Sequence, residues 1–596
     1  MMKQLEYPFD ASYLLLHRRQ IKKALSDEKI VLTEKKIAVL GGSTTKSILQ
    51  MLEIFLLNQG IKPVFYESDY GRYYEEAVFP NERLEQFKPD IIYIHTTNRN
   101  VTAYPSMTDS REAVDRLLSS EIHKFRTIWD SLGRAYQCPI IQNNFEMPLY
   151  RLMGNKDASD IHGAVNFLSR LNMEFYQYAQ AHDGFYICDI NYISADYGLK
   201  EWSDPFYWHM YKYALNINAA PYLAFNVSNI VKSVFGKNKK GFVLDLDNTL
   251  WGGIIGEDGA ENIRLGPEES GGQVYSEFQR YIKAHRQMGI VLNIASKNEK
   301  RNALEGLNHP ASDLRQDDFA VIKANWEPKD RNLVQIAEEL KLLPESLVFI
   351  DDNPAERYIV TEHLPGVSAP AIGEAHQYIQ NIDRNGFFEV TVFSEEDQKR
   401  NEMYMENAER ARLKERFTDY GEYLKSLEMK AVIRPFEPIY MSRIAQLTNK
   451  SNQFNLTTRR YTQAELESVA KEKSYITLYG KLEDRFGDNG IVSVIIGRVQ
   501  DSTCHIELWL MSCRVLKRDM EYAMMDELAC QCQTRGLTEI IGYYAPTAKN
   551  AMVKDLFKEM GFEMISEKEE HTVWLFRVTD LYQQKNQYIQ MKGKQE

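Results

Sequence analysis

Three short apolar runs in the middle of the chain each end in polar side chains of the kind found in catalytic centres. The runs are GFVL, IVLNIA and LVFI. The side chains are Asp245, Asp247 and Thr249 after the first, Ser296 after the second, and Asp351 and Asp352 after the third. Helical periodicity lies between the runs, which favours a parallel α/β sheet. Because the carboxyl ends of parallel strands meet at one edge of a sheet, this pattern constrains the fold to bring these groups together.

The chemistry that suits this set is phosphoryl transfer. The DxD spacing puts Asp245 and Asp247 on the same side where the strand ends. Asp245 would attack phosphorus to give an aspartyl phosphate, and Asp247 would protonate the leaving oxygen and later activate water. Ser296 and Lys329 would hold the phosphoryl oxygens. We predict that these four residues and Thr249 are catalytic.

The same edge of the sheet predicts a Mg²⁺ site. Asp245, Asp351 and Asp352, with the backbone carbonyl of Asp247, offer the oxygen ligands that this hard cation prefers.

The whole pattern resembles the haloacid-dehalogenase superfamily. The short separations from Asp245 to Ser296 and from Ser296 to Lys329 leave no room for a large cap domain. Such an open site favours a substrate carried on a protein.

The chain has 596 residues, which is too long for one hydrophobic core. We predict an α/β class with three domains. The divisions are an α/β domain over 1–237, the phosphatase-type domain over 238–390, a helical linker over 391–430, an α+β domain over 431–582 and a polar tail over 583–596.

Charge and hydropathy exclude several classes of protein. The formal net charge is −12, which argues against nucleic-acid binding. No apolar run approaches the roughly 20 residues of a membrane span, and the N-terminus does not have the pattern of a signal peptide. The cysteines form no CxxC pair. We therefore expect a cytoplasmic protein with reduced thiols that does not act on membranes.

Longer motifs resemble the FkbH-like family: DLDNTLWGGIIGEDG, ANWEPKDRNL, FIDDNPAER, TNKSNQFNLTTRRYT, DRFGDNGIVSV and WLMSCRVL. The resemblance implies synthesis of glyceryl-acyl carrier protein for polyketide-type pathways. The phosphoglyceryl group of 1,3-bisphosphoglycerate would be captured, dephosphorylated and passed to a phosphopantetheine thiol. Cys513 is the candidate thiol, although a small buried hydrophobe is its alternative. A plain phosphatase for a small or protein-linked phosphomonoester and a non-catalytic assembly factor also stay open.

The first domain resembles SGNH hydrolases. The resemblance implies Ser43 as nucleophile, Gly71 and Asn98 as oxyanion donors, His209 as base and Asp204 as its orienter. Gly42 replaces the usual aspartate before the nucleophile. A binding or scaffold domain without catalysis is therefore the alternative.

The third domain resembles the acetyltransferase fold of the GNAT type. Lys517 and Asp519 stand where that fold has the glycines of a pyrophosphate-binding loop, which argues against the use of acetyl-CoA. A phosphopantetheine arm, which lacks the nucleotide end, is the alternative. A basic stretch that includes Lys399, Arg410 and Lys414 would either dock an acidic carrier protein or form a solvated helix face.

Overall fold

The computed structural model describes residues 2–27, 32–268, 270–393, 399–414, 416–451, 453–512, 515–547, 550–568, 571–579 and 582–592. The chain forms two compact units. One contains Met1–Lys237 and Glu389–Thr391, and the other contains Asn238–Phe388 and Val392–Glu596. The predicted division of the second unit into further domains stays a prediction.

The first unit contains a parallel sheet of five strands. The strands are β1 (Thr33–Gly41), β2 (Ile61–Glu67), β3 (Ile91–His95), β4 (Ile140–Asn143) and β5 (Phe185–Cys188). Their order is β2-β1-β3-β4-β5. The chain proceeds in opposite directions on the two sides of the β1/β3 boundary, and the carboxyl edge at such a switch point is where open α/β sheets bind ligands.

Both faces of this sheet are covered by helices. Alternate residues of β1 enter different cores: Ile37 and Val39 pack in one, and Ala38 and Leu40 in the other. Burial on both faces is typical of parallel sheets. The helices are Ala11–Asp27, Lys46–Asn58, Tyr73–Val78, Glu82–Phe87, Arg111–Tyr136, Ala164–Ala181, Ile190–Tyr197, Leu199–Trp202, Pro205–Tyr211 and Ala220–Val234.

The second unit contains a parallel sheet of four strands: β6 (Gly241–Leu244), β7 (Val291–Ser296), β8 (Val321–Ala324) and β9 (Leu347–Ile350). Their order is β8-β7-β6-β9. Its helices are Ile255–Asp258, Ser270–Gln287, Lys300–Leu307, Lys329–Leu340, Pro354–His363 and Tyr378–Asp383. The connection from β6 to β7 carries the helices Ile255–Asp258 and Ser270–Gln287, and the connection from β7 to β8 carries the helix Lys300–Leu307. In the described residues, neither connection contains an inserted cap domain, as predicted.

A mixed sheet completes the second unit. Its strands are β10 (Lys430–Arg434), β11 (Phe454–Asn455), β12 (Tyr475–Asp484), β13 (Gly487–Gln500), β14 (Thr503–Met511), β15 (Glu539–Tyr544), β16 (Glu563–Lys568), β17 (His571–Arg577) and β18 (Gln590–Met591). The order is β16-β17-β15-β14-β13-β12-β10-β18, with β11 paired to β14. The helices are Arg400–Lys414, Tyr420–Ser426, Met441–Lys450, Gln463–Lys471, Met520–Thr534 and Leu556–Glu559. The predicted fold class is confirmed.

The helix Arg400–Lys414 is not a free linker. Tyr404 and Ala408 are buried in the core that also contains Leu340. Arg410 is buried and its guanidinium lies 2.8 Å from Asp484. The idea that Arg410 contributes to an exposed docking face is therefore wrong, because its charge is already paired inside the unit. None of the helices in the described ranges is long and apolar enough to cross a bilayer.

Candidate active site at the carboxyl edge of the second parallel sheet

Strand pairing brings Asp245 and Asp351 together. Asp245 directly follows β6, and Asp351 directly follows β9. The two strands are paired so that Leu244 lies opposite Ile350, and the Asp245 N–H donates to the Ile350 carbonyl at 2.9 Å. Ser296 ends β7, which flanks β6 on its other side. Three polar side chains that are distant in sequence thus share one sheet edge.

A buried ammonium group links the two carboxylates. Lys329 is the first residue of the helix Lys329–Leu340 and is 4% exposed. Its Nζ lies 3.0 Å from Asp245 Oδ2 and donates to Asp351 Oδ2 at 2.6 Å. Burial alone would lower the pKa of Lys329, but the charges of Asp245 and Asp351 outweigh it and raise that pKa. Lys329 therefore stays cationic in the site.

The carboxylates form a cluster suited to a divalent cation. Asp245, Asp351 and Asp352 each place one carboxylate oxygen within 4.8 Å of the others. Burial raises the pKa of all three, and Lys329 opposes this effect in each. One ammonium cannot neutralise three carboxylates. The donor set, all hard oxygens with unbalanced negative charge, fits Mg²⁺ or a similar ion.

Asp247 lies apart from this cluster and is held in a different way. Its Oδ1 accepts from the Trp251 indole N–H at 2.9 Å and from the Ile255 N–H at 3.1 Å. Its Oδ2 accepts from Asn298 Nδ2 at 2.8 Å. Asn298 also donates to the hydroxyl of Ser296 at 3.3 Å, whose side chain hydrogen-bonds Asp245. Both side-chain oxygens of Asp247 are therefore oriented by N–H donors of the protein.

Positioning residues surround the cluster. The buried hydroxyl of Thr249 accepts from the Asp352 N–H at 3.3 Å, so Thr249 orients the Asp352 loop. Arg357 donates to the backbone carbonyls of Asp351 and Asp352 at 2.5 and 2.8 Å. Neither Asn298 nor Arg357 is among the residues predicted from the sequence. The signal for Asn298 was its place in the Ser-Lys-Asn run after β7, but Arg357 gave none because it acts through backbone atoms.

The candidate thiol Cys513 lies outside the described residues. Among the other cysteines, Cys188 and Cys504 are buried and Cys530 is exposed. Burial raises the pKa of Cys138 to about 12 and raises the pKa of Cys188 further. Thiols of this kind remain protonated near neutral pH and are poor nucleophiles.

In the first unit, Ser43 has a different partner from the one predicted. Its Oγ lies 3.1 Å from Nε2 of His95, the last residue of β3. Asn143 Nδ2 donates to the Thr96 carbonyl and lies 2.9 Å from His95 Nδ1. Nδ1 therefore accepts, and the ring proton sits on Nε2 and is donated to Ser43. Burial lowers the pKa of His95 to about 4, so the ring of His95 is uncharged near neutral pH.

The other predicted residues of this second site are dispersed. Asp204 caps the helix Pro205–Tyr211 by accepting from the Phe206 N–H at 2.8 Å, and His209 is exposed on that helix. Gly71 lies in a turn with φ 71°. The Asn98 amide donates to the carbonyls of Glu146 and Met147 at 3.4 Å. In the described residues, no hydrogen bond joins His209 to Ser43. His209 is therefore not the hydrogen-bond partner of Ser43, whose Oγ lies against His95 instead.

The four-stranded parallel sheet has a carboxylate cluster, a buried lysine and a serine at its carboxyl edge. This arrangement is typical of phosphotransfer sites in which an aspartate is the nucleophile. Residues 36–232 match the family model of the FkbH N-terminal domain. The chain is similar to the crystal structure of the N-terminal part of the protein BF1531 from Bacteroides fragilis, which contains a phosphatase domain complexed with Mg. Identity is 29% and the TM-score 0.59, over 63% of this chain and 99% of that chain. The predicted resemblance to FkbH-like proteins is confirmed.

Acetyltransferase structures match a smaller part of the chain. The ribosomal-protein-S18-alanine N-acetyltransferase from Escherichia coli is 12% identical over 26% of this chain and 99% of that chain, with a TM-score of 0.20. Ard1 from Thermoplasma volcanium is 17% identical over 25% of this chain and 99% of that chain, with a TM-score of 0.21. No curated protein matches the chain.

Proposed function

We propose that the chain is a Mg²⁺-dependent phosphatase of the haloacid-dehalogenase type in which Asp245 is the nucleophile. The observation that carries this proposal is the cluster of Asp245, Asp351 and Asp352 around the ammonium group of Lys329. A cluster of buried carboxylates costs stability unless a cation compensates it. Arrangements of this kind are retained for chemistry rather than for folding.

Asp245, Asp351 and Asp352 would hold the metal ion. The similarity to a Mg-complexed phosphatase domain and the all-oxygen donor set support Mg²⁺ as that ion. When bound, Mg²⁺ supplies positive charge that offsets the repulsion between the Asp245 carboxylate and a phosphate dianion. Thr249 and Arg357 would keep the carboxylates in place through the backbone of the Asp351–Asp352 loop.

In the proposed reaction, each of these side chains has a separate role. An Asp245 oxygen attacks phosphorus, and the bond from phosphorus to the leaving oxygen breaks. Asp247 gives its proton to that oxygen. In the second step the Asp247 carboxylate takes a proton from water, the water oxygen attacks phosphorus, and the bond from Asp245 to phosphorus breaks to release inorganic phosphate. Ser296 and Lys329 bind the phosphoryl oxygens in both steps.

The more specific function that we propose is glyceryl transfer to an acyl carrier protein. A thiolate attacks the acyl carbon of 1,3-bisphosphoglycerate, the carbon–oxygen bond to the 1-phosphate breaks, and phosphate leaves with the bonding electrons. The Asp245 site then removes the 3-phosphate, and the phosphopantetheine thiol of the carrier displaces the first thiol. The FkbH N-terminal match supports this reading, and Cys513 is the thiol that we propose.

Intact-protein mass spectrometry tests both the phosphatase and the glyceryl transfer. The full-length protein is incubated with Mg²⁺ and 1,3-bisphosphoglycerate, and wild type is compared with Asp245→Asn. We expect a glyceryl adduct on wild type and a phosphoglyceryl adduct on Asp245→Asn. Cys513→Ala should lose the adduct, whereas Cys530→Ala, which removes an exposed cysteine, should retain it.

The remaining outcomes separate the candidate functions. An adduct that survives in Cys513→Ala refutes the role of Cys513 alone. No adduct on any variant, together with Asp245-dependent release of phosphate from another phosphomonoester, leaves the plain phosphatase. No Asp245-dependent release from any phosphomonoester contradicts the phosphatase itself.

A further inference from the structure

A cavity of the first unit opens at the carboxyl edge of its parallel sheet. Its volume is about 600 Å³, which lies within the range of small-molecule sites in proteins. One wall is formed by residues 147–151, which follow β4, and the other includes Leu199 and Pro205, which follow β5. β4 and β5 are neighbours in the sheet, and ligands of open α/β sheets bind outside the carboxyl ends of the strands.

This cavity is not the hydrolase site predicted from the sequence. The residues predicted for that site do not line the cavity in the described part of the chain: Ser43, Gly71, Asn98, Asp204 and His209. The cavity is therefore a separate feature of the first unit, and neither the predicted hydrolase nor the Asp245 site accounts for it.

Hydrogen bonds hold the two walls together. Asn144, the residue after β4, is fully buried. Its Nδ2 donates to Asp189 Oδ1 at 2.6 Å, and its Oδ1 accepts from the Asn191 N–H at 3.1 Å. Asn144 thus joins the segment after β4 to the helix after β5. Trp202 is 1% exposed and anchors the short helix Leu199–Trp202 in the core. The cavity is therefore built on well-connected backbone.

The lining of the cavity is positively charged. Arg151 and Lys200 contribute two cations, and no carboxylate among the described residues lines the cavity. The Arg151 guanidinium donates to the neutral Asn155 Oδ1 at 3.1 Å. Neither cation forms an ion pair with a described residue, and the neighbouring Glu201 is exposed outside the lining. Two positive charges of the cavity are therefore available to a ligand.

Carboxylates of the surrounding segments have other partners. Asp157, Asp189 and Asp204 each accept a backbone N–H from the first turn of a helix, at 2.8, 3.1 and 2.8 Å. Such bonds satisfy N–H groups that have no partner within the helix. The acids closest in sequence are thus used to cap helices, and they do not neutralise the lining.

The rest of the lining is mostly apolar and contains several rings. Pro148 and Pro205 carry rigid rings, and Tyr150 is 75% exposed. Leu149 and Val165 add aliphatic surface. Aromatic rings pack well against other flat apolar groups. Apolar walls with a few charged groups that orient the ligand are typical of small-molecule sites.

We propose that this cavity binds a ring-bearing organic carboxylate. The flat apolar part of the ligand packs against Pro148, Tyr150 and Pro205, and its carboxylate contacts Arg151 and Lys200. The fork of a guanidinium group matches the two oxygens of a carboxylate, and two cations disfavour a ligand of positive charge. The proposal is independent of the phosphatase function, because the cavity and Asp245 belong to different units.

Isothermal titration calorimetry of the full-length protein tests the proposal. The probes are 1-naphthoate, 1-naphthylmethylammonium, which has the ring but the opposite charge, and acetate, which lacks the ring. We expect only 1-naphthoate to bind. Arg151→Gln and Lys200→Gln should each raise its Kd by about tenfold, since one charge-assisted hydrogen bond contributes about this much. Lys156→Gln, which removes a cation of the same segment that does not line the cavity, should leave the Kd unchanged.

A second pair of variants tests the apolar part of the site. Tyr150→Ala should raise the Kd for 1-naphthoate by about three- to tenfold, because it removes one aromatic contact. Tyr192→Ala removes a tyrosine that is 56% exposed in the same unit but does not line the cavity, and it should behave as wild type. Equal Kd values for the two variants would overturn the packing of the ring against Tyr150.

Hydrogen exchange locates the bound probe. 1-Naphthoate should slow exchange in peptides that cover residues 147–151 and 199–205, and this protection should be lost in the double variant Arg151→Gln/Lys200→Gln. Both replaced side chains are exposed, so the double variant should fold, which circular dichroism checks. Absence of 1-naphthoate binding, equal binding of the ammonium probe, an unchanged Kd in the double variant, or protection confined to other segments overturns the proposal.

Discussion

The two carboxylates of the DxD motif have different contacts. Asp245 faces Lys329 and the other carboxylates, whereas Asp247 accepts three N–H bonds from Trp251, Ile255 and Asn298. In the proposed mechanism, Asp245 attacks phosphorus and Asp247 transfers protons, so the two residues of the motif have separate tasks.

Asp247→Asn should therefore slow catalysis without removing the nucleophile. The amide can still pack against Trp251 and Asn298 but cannot give or take a proton. We expect kcat for an alkyl phosphate to fall by about 10² to 10⁴. Acetyl phosphate, whose leaving group needs no proton, should still phosphorylate the variant. Stopped-time phosphate assays check this, and an equal loss of the phosphorylation step for both substrates would contradict it.

A buried acid in the first unit gives a prediction for pH dependence. Glu146 is buried and accepts from the Asn98 N–H at 3.2 Å. Burial raises its pKa from 4.5 to about 7. Because the folded pKa is the higher one, the stabilisation from the neutral acid is complete below pH 4.5 and is lost as pH rises to about 7.

Glu146→Gln should remove the loss of stability that occurs as the pH rises. We expect the variant to gain up to about 3 kcal/mol of stability over wild type above pH 7, and little at pH 4. Urea unfolding, with hydrogen exchange of the first unit as the probe, measures the difference. Glu85→Gln, at an exposed position, should change stability by no more than about 0.5 kcal/mol. A gain for Glu146→Gln that is independent of pH would contradict the argument.

At the scale of elements, the strand ends were the most predictable part of the site. The strands Ile91–His95, Leu347–Ile350 and Glu539–Tyr544 have the bounds that their apolar runs indicate. The aspartates and Ser296 each lie at or directly after the end of a strand. Because the carboxyl ends of parallel strands meet at one edge of a sheet, the sequence was enough to predict that these side chains come together. The pairing of Ser43 with His95 depends on the order of β1 and β3, which no local pattern specifies. The resemblance to SGNH hydrolases suggested His209 instead.

The contact between Thr249 and the Asp352 loop predicts a metal-binding phenotype. Thr249→Val keeps the shape of the buried side chain but removes the oxygen that accepts from Asp352 N–H. Loss of such a supporting contact should raise the Mg²⁺ concentration for half-maximal activity by about 10- to 100-fold. Saturating Mg²⁺ should restore most of kcat. Titration with Mg²⁺ measures the shift, and Thr361→Val, whose hydroxyl bonds within a helix, should show none. A kcat defect that Mg²⁺ does not rescue would refute the role.

At the scale of the whole molecule, a buried charge network joins the helix Arg400–Lys414 to the mixed sheet. The Asp484 carboxylate is 0% exposed and lies 2.8 Å from Arg410 and 3.0 Å from Arg518. Arg518 also donates to Asn407 at 3.0 Å. Asp484, the first residue of the DRFGDN run, therefore stabilises the second unit through buried ion pairs. The sequence could not show this, because a basic helical stretch is usually solvated.

Asp484→Asn should destabilise the second unit. The amide removes the carboxylate charge that Arg410 and Arg518 share, although Arg410 keeps Glu406 at 3.0 Å, and breaking a buried ion pair typically costs about 3 to 5 kcal/mol. Urea unfolding of the full chain should show the loss, and Asp488→Asn, in the same hairpin but exposed, should show almost none. Equal stability of the two variants would mean that the network contributes little.

The central claim is that Asp245 carries the phosphoryl group. The most direct measurement is peptide mass mapping after acid quenching, with Asp247→Asn incubated with Mg²⁺ and acetyl phosphate. We expect one phosphoryl group on the peptide that contains Asp245, and none on that peptide in the double variant Asp245→Asn/Asp247→Asn. Phosphate on another residue, or turnover without any phosphorylated peptide, would contradict it.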